Sequence, residues 1–200
     1  MKPTTRYILM GAAAILLMGI IIFVIIYITT RELKEALTKV SEDEITRTST
    51  TATTNMKIEH KSGYNQSVRG YRNNNPLNLR ISNNAWKGKI PASQNTDGAF
   101  EQFQTMAYGF RAALMNLRSY ITKYNCNTIA SITNKWAPSS DGNNPTRYAQ
   151  VVSDRTGIAK TTVIAANDKE TLCQIAAAMA YMENGSAPLM EDIYAGWNMI

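Results

Sequence analysis

Hydrophobic and polar positions change their pattern several times along this chain. Residues 8–29 contain no charged side chain and are almost wholly apolar. About 20 residues at ~1.5 Å rise cross a ~30 Å hydrocarbon core, so the run predicts one membrane-spanning helix. It ends in Tyr27-Ile28-Thr29-Thr30-Arg31 rather than in a small-x-small exit, which predicts an uncleaved anchor over residues 1–30. Lys2 and Arg6 precede the run and Arg31, Lys34 and Lys39 follow it, so the charge split leaves the orientation open.

A helical period continues after the run. Leu33, Leu37 and Val40 share a stripe, while Glu32, Lys34, Glu35 and Lys39 face away. This segment either carries the membrane helix into water or pairs with another copy. The Thr/Ser-rich stretch from Thr46 to Thr54 predicts a flexible stalk, so residues 31–66 read as a juxtamembrane helix and linker.

Residues 67–200 form the expected domain. Leu77 to Ile81 and Trp86 to Ile90 alternate with period two around Ser82-Asn83-Asn84, and Ala99 to Phe103 adds a third run. These predict a small three-stranded antiparallel sheet. Helical patterns follow. Phe110, Leu114, Leu117, Ile121 and Tyr124 mark a helix from about Ala107 to Tyr124, and Asn127 or Thr128 caps a shorter one stopped by Pro138. Asn144-Pro145 opens a third that ends at Gly157, and Asn167-x-x-Glu170 resembles a capping box for a fourth that ends at Gly185. The expected class is α+β, with Phe110, Leu114, Leu117, Ile129, Val151, Leu172, Ile175 and Met179 converging on one core.

Composition narrows the chemistry. The 200 residues carry a formal charge of +6, and from Tyr64 onward there are 13 Lys/Arg against 9 Asp/Glu, without a basic block. Such a dispersed field suits an anionic partner without choosing wall polymer, phospholipid or nucleic acid, and is equally an ordinary solvated surface. No helix-turn-helix, zinc or aromatic-platform motif supports a specific nucleic-acid partner. Cys126 and Cys173 lack a CxxC arrangement and His60, the only histidine, sits in the linker. That excludes a Cys/His zinc cluster and a histidine-activated nucleophile unless His60 serves, and no metal or cofactor is expected. Both cysteines are expected to be buried thiols, a disulfide between them being possible.

One set of motifs is more specific. Arg69-Gly70-Tyr71-Arg72-Asn73-Asn74-Asn75-Pro76 leads to Asn78 and Arg80; Trp86-Lys87-Gly88, Asp97 to Phe103, Tyr108-Gly109-Phe110-Arg111-Ala112 and Trp136-Ala137-Pro138 through Asn144, Thr146 and Tyr148 follow in order. This series resembles the lysozyme and lytic-transglycosylase superfamily, and more narrowly its phage- and prophage-borne group, over nearly all of residues 69–185. The resemblance implies a lysozyme-like fold that binds peptidoglycan glycan strands and cuts them. The expected protein is then a single-pass, membrane-tethered enzyme in a virion inner membrane or the host envelope. It would open the wall locally during entry or release, with lipid, other virion proteins or a second copy as further partners. The alternative is a non-catalytic virion membrane protein that keeps the fold.

Glycosidic cleavage needs a carboxylic acid that donates a proton, and a hydrolase usually adds a second carboxylate. By the resemblance, the position of the acid in lysozyme-like proteins falls at Tyr71, or else at Arg72, and neither can protonate a leaving group near neutral pH. Glu101, between Phe100 and Phe103 in the third strand candidate, is therefore the first candidate acid. Glu183, at the end of the last apolar helix, is the second, and Asp97 reads as a turn residue. Asn73, Asn74, Asn75 and Asn78 offer amide donors and acceptors for sugar hydroxyl and N-acetyl groups, two of the four being expected to serve only the turn. Trp86 and Tyr108 are candidate sugar-stacking rings, whereas Trp136 and Tyr148 read as core.

Overall fold

The computed structural model describes residues 25–36, 38–39 and 56–200, and the chain divides into two units, Met1–Thr54 and Asn55–Ile200. Most of the apolar run 8–29, and the stalk from Thr46 to Thr54, lie outside the described residues. Within the first unit, residues 25–36 are helical, with Ile25, Ile26, Tyr27, Ile28 and Leu33 exposed and Arg31 paired to Glu35 at 3.0 Å. Among the described residues, no helix is long and apolar enough to cross a membrane.

The second unit is helical, which corrects the expected α+β class. Its elements are α1 (Arg69–Arg72), α2 (Met106–Tyr124), α3 (Ile129–Trp136), α4 (Pro145–Thr156), α5 (Lys169–Asn184) and α6 (Met190–Asn198), with a 3-10 turn at Ser139–Asp141. The helix starts are made by the local chemistry of the sequence. Thr105 caps α2, and Thr128 with Ser131 forms a reciprocal capping box on α3. Asn144 caps α4 with Pro145 in the first turn, and Gly157 closes it at φ 70°. The cap of α5 is Asp168 rather than Asn167, its side chain accepting from the Thr171 N–H at 3.1 Å.

The three expected strands do not form. Only two isolated antiparallel bridges join these segments, Arg80 with Phe100 and Lys89 with Phe103. The segments exchange a few backbone bonds, such as the Glu101 N–H to the Leu79 carbonyl and the Ile90 N–H to the Gln102 carbonyl, and asparagine side chains and turn geometry take others that a regular ladder would need. Asn75 donates to the carbonyls of Leu79 and Glu101, both at 2.9 Å, and accepts from the Leu79 N–H. The Phe103 N–H is spent on the Asn73 carbonyl, while Asn78 at φ 51° and Gly88 at φ 71° break the extended runs. Period-two alternation survives without a sheet because each segment still buries one face: Leu77, Leu79, Ile90 and Phe103 are all inside.

Helix α2 packs against α3, α5 and α6, and α5 also packs against α1 and α4. Their shared core contains Phe110, Leu114, Leu117, Ile129, Ile132, Leu172, Ile175 and Met179, all fully buried. On α4 the inward residue is Val152, and Val151 is only half-buried. A second, smaller cluster of Leu79, Phe103 and Ala112 lies under the irregular segments, and Trp136 touches both cores. The cysteines are unpaired; Cys173 is buried, its thiol pushed up to about 11 by burial, and Cys126 is half-exposed.

Candidate functional site

The asparagine turn is a joint between α1, α2 and α5. Asn73, Asn74 and Asn75 are each at most 1% exposed, so none presents its amide to solvent. Asn74, at φ 49°, donates to the carbonyls of Glu59, Phe103 and Gln104. Asn73 donates to Asp97 at 2.7 Å and accepts from Gln102 at 3.0 Å. Gly109 is required where α2 crosses this turn, because a Cβ there would strike the Asn74 carbonyl and the Pro76 ring. These three side chains organise the loops; all their bonds are internal.

Asp97 belongs to the same joint. Burial would raise its carboxyl, but the Asn73 amide, Arg69 and the N–H groups of Phe100 and Ala99 outweigh burial and hold it down to about 2. Tyr71 is 1% exposed and donates to the Ser186 carbonyl at 2.6 Å. Its ring tilts against Tyr64 with centroids 4.8 Å apart, and burial pushes the phenol above its ordinary value. It is a core residue that pins the turn after α5.

Asn78 lies apart from its neighbours in this turn. Its Nδ2 donates to Glu183 Oε2 at 3.0 Å, and the Tyr148 hydroxyl donates to Glu183 Oε1 at 2.9 Å. Glu183 is half-buried at the end of α5, with both carboxylate oxygens engaged by neutral donors. Burial and then the neighbouring carboxylate raise the Tyr148 phenol well above its ordinary value, so it stays a donor. Next along α5, Asn184 donates to the Pro76 carbonyl at 2.7 Å, which locks the helix end to the asparagine turn. The geometry around Glu183 is therefore fixed from three sides.

Asn78 also lines a cleft of about 360 Å³ between the irregular segments and α2 and α3. Trp86, Tyr120 and Trp136 give its walls flat apolar surface, and Asn84 and Asn116 give it amides. Arg80, Lys135 and Asp141 supply its charges. Of the candidate sites, the structure brings Asn78 and Trp86 to this cleft and joins Glu183 to it through Asn78. Tyr108 turns elsewhere: its half-buried ring lies on Gly88, where a Cβ would collide with it. Glu101 is also elsewhere, 0% exposed, accepting from Lys89 Nζ at 2.8 Å and from the N–H and hydroxyl of Ser82. Its second oxygen has no partner. Among the described residues no group of histidine, cysteine, aspartate and glutamate could hold a metal.

Sequence reasoning missed Tyr120, Asn116 and Lys135 as cleft residues, and took Trp136 and Tyr148 as core. Trp136 is half-buried and does line the cleft; Tyr148 is core by its ring, and its hydroxyl bonds Glu183. The available signal was helical spacing, since Asn116 and Tyr120 are four residues apart on α2.

A helical domain with an aromatic- and amide-lined cleft beside a fixed carboxylate is the class that fold and site define. No model of a known protein family matches the chain. It is 37% identical over 131 residues to Protein P5 of Pseudoalteromonas phage PM2, an alignment covering 64% of this chain and 78% of that protein. The chain belongs to the family of that phage protein.

Proposed function

We propose that this protein is a virion component that binds glycan strands of the host peptidoglycan in the cleft and cleaves them with Glu183 as the acid. The observation that carries the reading is the Glu183 carboxylate, held by Asn78 and Tyr148 where Asn78 enters an aromatic-walled cleft. Tryptophan and tyrosine rings stack on sugar faces, and amides match hydroxyl and N-acetyl groups. Glu101, the first candidate from sequence, is spent on Lys89 and Ser82 in the interior and reaches no open surface. Asp141, the acid that lines the cleft, is exposed on a 3-10 turn, so Glu183 is the one fixed carboxylate beside it and the simplest chemistry is that of a transglycosylase. There Glu183 protonates the glycosidic oxygen, the sugar's own hydroxyl attacks, and the same residue takes up the proton. The apolar run 8–29 would tether the domain to a virion or host membrane, so that wall opening stays local.

The test uses the full chain in detergent, incubated with purified peptidoglycan, with fragments read by mass spectrometry. Anhydro-sugar ends are expected, lost by ~10²–10⁴-fold in Glu183→Gln; reducing ends would instead indicate hydrolysis. A second reading, a non-catalytic virion protein that only grips the wall, is favoured by Glu183, whose two carboxylate oxygens are both held by protein donors. Strand binding without any released fragment would establish that reading against the enzymatic one.

A further inference from the structure

The cleft carries positive charge that the protein leaves unanswered. Arg80 and Lys135 both line it. Each is fixed by an aromatic ring rather than by an acid: Arg80 Cζ lies 5.5 Å from the Phe100 centroid, and Lys135 Nζ lies 3.8 Å from that of Tyr124 and 5.2 Å from that of Tyr120. The ion pairs among the described residues join Arg31, Lys61, Arg69 and Lys89 to carboxylates, and neither Arg80 nor Lys135 takes part. Arg69 shows the contrast, since it stacks on the same Phe100 ring at 4.5 Å and is also paired to Asp97. A cation held by a ring face keeps its charge available while losing freedom of movement. Asp141, at the 3-10 turn, is the single acid lining the cleft.

We infer that the cleft selects glycan by its negative charge, Arg80 and Lys135 reading carboxylates on alternate sugars of the strand. This rests on the glycan-binding reading above but not on catalysis. Wall glycan presents such carboxylates in two forms: as free lactyl groups where the stem peptides have been removed, and on the stem peptides of intact strands. Neutral chitin oligosaccharides share the β-1,4 N-acetylhexosamine backbone and carry no carboxylate, so they separate charge reading from sugar stacking.

Calorimetric titration of the full chain in detergent would compare peptide-stripped strands, intact solubilised strands and chitin hexasaccharide, at low and high salt. The expected result is a preference for a charged strand over chitin of roughly 3–10-fold, shrinking at high salt, as two partly exposed ion pairs would give. Arg80→Gln with Lys135→Gln should bring charged strands down to the chitin affinity of the same variant, with circular dichroism checking the fold. If stripped strands keep the preference the lactyl group is the carboxylate read; if only intact strands do, it is the stem peptide. Equal affinity of the unmodified protein for charged strands and chitin would overturn the inference and leave glycan binding standing. Binding to none of the three would overturn both.

Discussion

From Tyr64 to Gln104 the chain has one helical turn and is held by side chains bonding to backbone; from Met106 onward it is held by apolar helix faces. In the first region Asn73, Asn74, Asn75, Glu101 and Gln102 are all buried, and their polar groups do the work that a sheet ladder does in other folds. In the second, α2 to α6 satisfy their own backbones and bury leucine, isoleucine, phenylalanine and methionine. The two regions fail differently. Apolar packing degrades in proportion to lost volume, whereas a buried polar network loses a whole group of bonds with one residue. The cleft runs along their boundary, so its floor is precise on one side and stiff on the other.

The largest effect should come from the helical side. Phe110→Ala removes a fully buried ring from the shared core and should cost ~3–5 kcal/mol by urea denaturation. A loss below ~1 kcal/mol would mean the core had collapsed around the gap, and the contrast between regions would be overstated. Asn75→Ala deletes far less volume but strands the Leu79 N–H and the Glu101 carbonyl, the Leu79 carbonyl keeping the Glu101 N–H, so a cost of about 3 kcal/mol is expected. If it matched an exposed asparagine substitution instead, the polar joint would not be what organises the first region.

Glu101→Gln should destabilise by about 3 kcal/mol, because Lys89 is left without its counter-charge in the interior. Any glycan cleavage should survive in molecules that remain folded. Loss of cleavage at unchanged stability would return the catalytic role to Glu101. The smallest effect is the acid response of the Asp97 joint. Its carboxyl sits at about 2 in the folded protein, while an unfolded aspartate titrates near ~3.9. The folded value is the lower, so the contribution is complete above pH ~4 and disappears as pH falls through 2. Asp97→Asn should therefore flatten the stability profile between pH 4 and 2 and leave its shape above pH 5 unchanged; equal slopes in both proteins would remove Asp97 from the acid response.

Helix chemistry was readable from order and spacing alone. Thr128, Asn144 with Pro145, Gly157 and Gly185 start and stop helices where the sequence predicts, because a cap is a contact within about four residues. The core of α2, α3 and α5 followed from helical periodicity for the same reason. Strand pairing was not determined by alternation. Period two says that one face is buried, not how many backbone groups meet, and here Asn75 and Asn73 take several of them so that only two isolated bridges remain. The carboxylates were ranked in sequence by their neighbours, Glu101 lying among aromatics, and only tertiary structure revealed that Lys89, twelve residues earlier, folds back onto it. Asn78 and Glu183, separated by 105 residues, become partners because Asn184 ties the end of α5 to the asparagine turn. Local interactions decide where an element begins and ends; which acid reaches a cleft depends on contacts that exist only once distant elements have packed.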